Sequence, residues 1–157
     1  MNTIIFILLP YSKSGIITRR ENDTLIISGF RDDVDLEALQ AELEVEWLEL
    51  ARQEAANRIK NALIAASERL RPNDFTDLIT KLQLGRITDS ERQTLNAYYD
   101  ALDALEREAK ALLQKLEKAE SVEVVNKIPW PEWVGWEALP LRLKLEVEQT
   151  YPEASNK

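Results

Sequence analysis

The chain has 157 residues with no Cys and no His, which removes thiolate nucleophiles, Cys/His zinc sites and every triad that uses imidazole as its base. A net charge of −8 and a pI near 4.7 argue against nucleic acid or an anionic membrane surface as partner. About half of the chain is Ala, Glu, Lys, Leu or Arg, the composition of long helices, and a chain of this length buries enough surface to fold without disulfides or metals.

Residues 1–31 are rich in Ile, Thr, Phe and Leu, in short runs broken by Pro10, Gly15 and the polar Glu21-Asn22-Asp23. The runs Ile4–Leu9, Ile16–Thr18 and Thr24–Ser28 predict two or three strands, one of them fully buried because it does not alternate. So small a sheet cannot hold itself together and must lean on helices or on a partner. Ile4–Leu9 lacks the basic flank and cleavage site of a signal peptide. It is also far short of the ~20 residues a membrane span needs, so the expected location is the cytoplasm.

Residues 32–119 predict helices, with Pro only at 72 and Gly only at 85. Asp32 or Asp33 is placed to cap the first, which, if unbroken, runs from 33 to 70. Its apolar stripe is Leu36, Leu39, Leu43, Trp47 and Leu50, then Ile59, Leu63, Ala66 and Leu70 on a shifted face. The shift near 51–58 implies either a bend or a handover from one packing partner to another. Pro72 ends this helix, and Asn73 or Asp74 opens a short one carrying Phe75, Leu78, Ile79 and Leu82, stopped by Gly85. Thr88-Asp89-Ser90-Glu91 fits a capping box. The stripe beyond it, Leu95, Tyr98, Leu102, Leu105, Ala109, Leu112, Leu116 and Ala119, alternates spacings of three and four like a coiled-coil seam. That seam packs on the chain's own first helix as a hairpin, or else mediates self-association or takes another protein.

In residues 120–157, Val122, Val124 and Val125 suggest a strand, and Trp130, Trp133 and Trp136 recur every third residue beside Pro129 and Pro131. In a polyproline II conformation, three residues per turn, the three rings share one side and form a binding patch. The alternative is that they cover the open end of the hairpin as part of the core. Leu141, Leu143, Leu145 and Val147 alternate with Arg142, Lys144, Glu146 and Glu148, a half-buried strand over 141–148 suited to pairing with the N-terminal sheet or with a partner's edge. The candidate partner-binding residues are therefore Trp130, Trp133, Trp136, Leu141, Leu143, Leu145 and Val147.

Candidates for chemistry are few. Asp33, Asp35, Glu37 and Glu44 mimic a calcium loop, but Ala38 stands where the turn needs Gly. No catalytic constellation, cofactor site or metal site is predicted, and the chain is not expected to be an enzyme. The acids from Asp32 to Glu54, nine against the single base Arg52, carry the whole net charge. They form a solvated helix face or a steering surface for a basic partner.

From about 55 to 136 the chain resembles the tail-fibre assembly proteins of tailed bacteriophages and of related contractile tail-like particles. The resemblance rests on Leu78, Leu82 and Leu84, on Thr88-Asp89-Ser90-Glu91, on Leu95, Ala97 and Tyr98, and on Ile128-Pro129-Trp130-Pro131. Tyr98 stands where the family usually has Trp, and Ala101-Leu102 where Tyr-Arg is common. The resemblance implies a non-enzymatic chaperone that binds the distal part of a trimeric tail fibre, promotes its folding or trimerisation, and in some cases stays attached. Residue patterns and resemblance lead to one expected architecture, an α+β chain. It has a β-rich part over 1–31, a long coiled-coil-like helical hairpin over 32–119, and a Trp/Pro segment with a C-terminal strand over 120–157.

Overall fold

A computed structural model describes residues 2–147; the end of the expected strand at Glu148 and the polar residues after it lie outside the described residues. The fold is α+β. In chain order the elements are α1 (Asn2–Leu8), β1 (Ser12–Glu21), β2 (Thr24–Phe30), α2 (Leu36–Leu70), α3 (Phe75–Gln83), α4 (Asp89–Lys118), α5 (Val122–Lys127) and β3 (Arg142–Leu145). The chain divides into two compact units. One comprises the residues up to Ala55, Ala119–Ile128 and the residues from Glu137; the other comprises Ala56–Lys118 and Pro129–Trp136.

The first unit is built on a three-stranded sheet in the order β1-β2-β3. β2 is its middle strand and is buried on both faces, from Leu25 through Phe30, which explains its unbroken apolar run. β1 and β2 form an antiparallel hairpin turned at Asn22, whose φ of +52° is in the left-handed region that Asn tolerates. Their register slips between Ser12↔Phe30 and Ile17↔Ser28. At that slip Gly29 (φ +96°) passes so close to Gly15 that a Cβ on Gly29 would sit 2.2 Å from the Gly15 carbonyl oxygen. Only glycine fits such an approach. β3 joins the other side of β2 in parallel, pairing Leu25 with Leu143 and Ile27 with Leu145.

Two expected strands are helices instead. The run Ile4–Leu9 fits a strand by its pattern, but Asn2–Leu8 is α1, and the buried Ile4 and Leu8 stand one helical turn apart. Val122–Val125 likewise lies in α5, where the Ser121 hydroxyl caps the Val124 N–H at 3.1 Å and Val122 and Val125 turn inward. A Glu123–Lys127 ion pair at 2.8 Å spans one turn of it. Short apolar runs fit either period, so in both segments burial decided the outcome.

α2 runs unbroken for 35 residues. It starts later than expected and is capped by neither Asp32 nor Asp33: the Asp35 carboxylate accepts the Ala38 N–H at 3.2 Å. Leu39, Leu43, Trp47 and Leu50 are buried, and the stripe continues without a gap through Ala51 and Ala55 to Ile59 and Ala66. The helix contributes its residues to Ala55 to one unit and those from Ala56 to the other. The shifted stripe therefore marks a handover and not a break. In the first unit the Trp47 indole donates to the Pro140 carbonyl at 3.0 Å, and the Asn126 side chain both donates to and accepts from the backbone of Leu139.

The second unit holds the rest of α2, then α3 and α4. Gly85, at φ +67°, closes α3. The capping box forms as read: Thr88 Oγ1 accepts the Glu91 N–H and the Glu91 carboxylate accepts the Thr88 N–H, each at 3.2 Å. Along α4 every seam residue from Leu95 to Leu116 is covered at least in part. Leu95, Ala109, Leu112 and Leu116 are buried, while Tyr98, Leu102 and Leu105 are half-buried. Tyr98 packs edge-on against Phe75 of α3, with ring centroids 5.3 Å apart.

Candidate partner-binding surfaces

The C-terminal strand has a buried face. Leu143 and Leu145 turn into the first unit, Leu141 is half-buried, and Val147 beyond the strand is exposed. Of the two pairings open to it, β3 has taken the one with the chain's own sheet. Its Leu143 and Leu145 side chains are thereby spent on the core, and what β3 presents outward is backbone. The N–H groups of Arg142 and Glu146 point toward β2, donating to Asp23 O just before that strand (3.0 Å) and to Ile27 O within it (2.9 Å). By strand alternation, the N–H and C=O of Leu143 and Leu145 then point to the free edge.

A groove of about 570 Å³ lies beside β3, lined by Leu141 to Leu145 and Thr24 of β2 on one side and by Gln40, Glu44 and Trp47 of α2 on the other. A second hollow, lined by Leu36, Glu37, Gln40, Ala41, Glu44 and Leu145, extends it. Gln40 reaches across the groove. Its side-chain oxygen accepts the Leu145 N–H at 3.1 Å, and its amide nitrogen donates to the Glu44 carboxylate at 3.0 Å.

The three tryptophans of the second unit do not form the extended row that polyproline II geometry predicts. Pro131 is extended, but Glu132–Val134 is a single 3₁₀ turn ended by Gly135 in the left-handed region, with φ +63°. That turn brings Trp136 back onto Trp130, so the two rings stack with centroids 4.1 Å apart and planes 13° from parallel. The Arg58 guanidinium lies 5.2 Å from the Trp136 ring centre, within cation–π range. Trp130, Trp133 and Trp136 are all half-buried. The rings are thus partly covered within their own unit, and the indole N–H groups of Trp133 and Trp136 are buried with no hydrogen-bond partner among the described residues.

A surface that the sequence reading missed lies at the start of the chain. Phe6 is 77% exposed, and Ile7, Leu9 and Tyr11 are each more than a third exposed. Because α1 is a helix, only Ile4 and Leu8 of the run are drawn fully into the core; Ile5 is half-buried, and Phe6, Ile7 and Leu9 are exposed. The signal was present in six successive apolar residues, more than one helical stripe can bury.

The acids between Asp32 and Glu49 are all exposed, and Glu54 is half-buried. Among the described residues no group of three or more acidic side chains is disposed to hold a metal ion, and no helix is long and apolar enough to cross a membrane. No protein-family model matches the chain, and neither a curated protein nor a solved structure is similar to it.

Proposed function

We propose that this chain is a non-catalytic assembly chaperone for the distal part of a trimeric tail fibre of a phage or phage-like particle. It acts in the cytoplasm of the host cell, promotes folding and trimerisation of the fibre, and can remain at the tip. The observation that carries the binding role is the exposed row Phe6, Ile7, Leu9 and Tyr11. Apolar side chains gathered in this way cost solvation free energy unless another protein covers them. The identity of the client comes from the family resemblance over residues 55–136. Support there is local: the capping box at Thr88–Glu91 and the aromatic at Tyr98 both serve the helical packing that the resemblance expects.

The test is co-expression of the chain with a candidate fibre protein from the same genome, scoring soluble, SDS-resistant fibre trimer. Trimer that forms only when the chain is present is the expected result, and co-elution afterwards shows retention. Equal yields of native trimer without the chain, and no co-elution, refute the proposal.

A further inference from the structure

In the segment from Trp130 to Trp136 two sets of forces oppose each other. Two backbone hydrogen bonds close its single 3₁₀ turn, from the Val134 N–H to the Pro131 carbonyl at 3.1 Å and from the Gly135 N–H to the Glu132 carbonyl at 3.0 Å. Bonds of this i to i+3 kind have poorer geometry than those of an α-helix. The buried Val134, the stack of Trp136 on Trp130 and the Arg58 guanidinium beside Trp136 add to them. Against these stand the indole N–H groups of Trp133 and Trp136. Both nitrogens are closed to solvent, and neither has an acceptor among the described residues. A buried donor left unpaired forfeits the hydrogen bond it would make with water.

The backbone confines any change to a few residues. Before the turn, Pro131 is already extended, at φ −68° and ψ +153°. After it, Leu139 is held by both of its bonds to the Asn126 side chain. Between them the helical stretch is only Glu132–Val134, and it ends at Gly135, whose φ of +63° is left-handed. Gly135 is exposed, and nothing lies within 4 Å of the place a Cβ would take, so no packing opposes rotation of its backbone. Rotation out of the left-handed region unwinds the turn, lifts Trp136 from Trp130 and gives both orphaned N–H groups access to water.

We infer that residues 130–136 form a two-state aromatic latch with Gly135 as its hinge. The closed form, with Trp136 stacked on Trp130, exchanges with a minor open form in which the indoles of Trp133 and Trp136 are solvated. Two new bonds to water offset much of what the stack and the turn lose, which keeps the open form populated. The latch sets how much aromatic surface the second unit presents. It is a property of the chain alone and does not rest on the fibre reading.

The test is NMR of the full chain with isotope-labelled tryptophan. Trp47 is the internal control, because its buried indole N–H is bonded to the Pro140 carbonyl. Relaxation dispersion on the microsecond-to-millisecond scale is expected at the indole resonances of Trp133 and Trp136 and not at that of Trp47. Their indole protons exchange with solvent at least about tenfold faster than that of Trp47. Gly135→Ala strains the closed form alone, since the added Cβ meets nothing within 4 Å and is disfavoured only by the left-handed φ. It raises the open population about fivefold, with the far-UV circular dichroism of the helices unchanged. Gly135→Asn, which tolerates that φ, raises it less. Flat dispersion at both indoles overturns the inference, as does proton exchange as slow as at Trp47 or an open population that Gly135→Ala leaves unchanged. So does a long-lived water bound to both N–H groups, because the closed form would then hold no unpaired donor.

Discussion

Gly29→Ala tests whether the hairpin of the first unit depends on the contact at its register slip. At φ +96°, any residue with a Cβ is strained by about 1–2 kcal/mol. The added methyl would also stand 2.2 Å from the Gly15 carbonyl oxygen and 3.3 Å from its carbon. Both are backbone atoms, so relief requires moving β1 itself, an overpacking cost of about 1–3 kcal/mol. The sum is about 2–5 kcal/mol. Gly15→Ala is the matched control, since at φ +131° it bears conformational strain but has nothing within 4 Å of the new Cβ. At a urea slope of about 2 kcal/mol/M, the unfolding midpoint falls by about 1–2.5 M for Gly29→Ala and by about 0.5–1 M for Gly15→Ala. Urea denaturation followed by far-UV circular dichroism measures both. Equal losses in the two variants would refute the reasoning, because strain alone would then account for Gly29 and the close approach would cost nothing.

Two further substitutions probe each unit separately. Trp47→Phe removes the buried indole N–H that bonds the Pro140 carbonyl and leaves that acceptor unpaired. A stability loss of about 1–3 kcal/mol is expected by urea unfolding, and a loss below about 0.5 kcal/mol would show that the bond is not needed. In the second unit the Glu91 carboxylate is held below its ordinary value, first by the hydrogen bond from Lys81 at 2.7 Å and then by Thr88. A folded-state pKa below the unfolded one means a contribution present above the ordinary carboxylate range and lost as pH falls through the folded value. Glu91→Gln is therefore less stable than the parent at neutral pH, with a gap that closes on acidification. A gap of constant size from pH 7 to pH 3, measured by thermal unfolding, would contradict this.

How much of this was legible depended on whether a residue's fate was decided locally. The α4 start was fully written in Thr88 and Glu91, whose bonds run only three residues. Its seam was equally plain because large apolar side chains marked all but its alanine positions. The choice between a bend and a handover in the α2 stripe stayed open because Ala51 and Ala55, too small to stand out, carry it across the junction while being the most deeply buried residues of that stretch. In α1 and α5 the apolar runs were too short to show a period. Of the two, only α5 offered a local clue, in the Ser121 cap and the Glu123–Lys127 pair.

The site was harder to read for a different reason. Alternation from Leu141 to Val147 identified a strand and its buried face, but a parallel partner from the other end of the chain leaves no mark in the local pattern. The same alternation that sends the Leu143 and Leu145 side chains inward sends their backbone groups to the free edge. The residues that looked like contacts through their side chains are thus core by side chain and edge by main chain. What distinguishes the groove chemically, Glu44 opposite β3 with Gln40 bridging them, arises only when α2 is laid beside that edge. In sequence those acids were inseparable from the rest of an exposed, uniformly negative stretch. The groove is therefore a product of the packing: its acidic wall exists only because α2 lies beside β3.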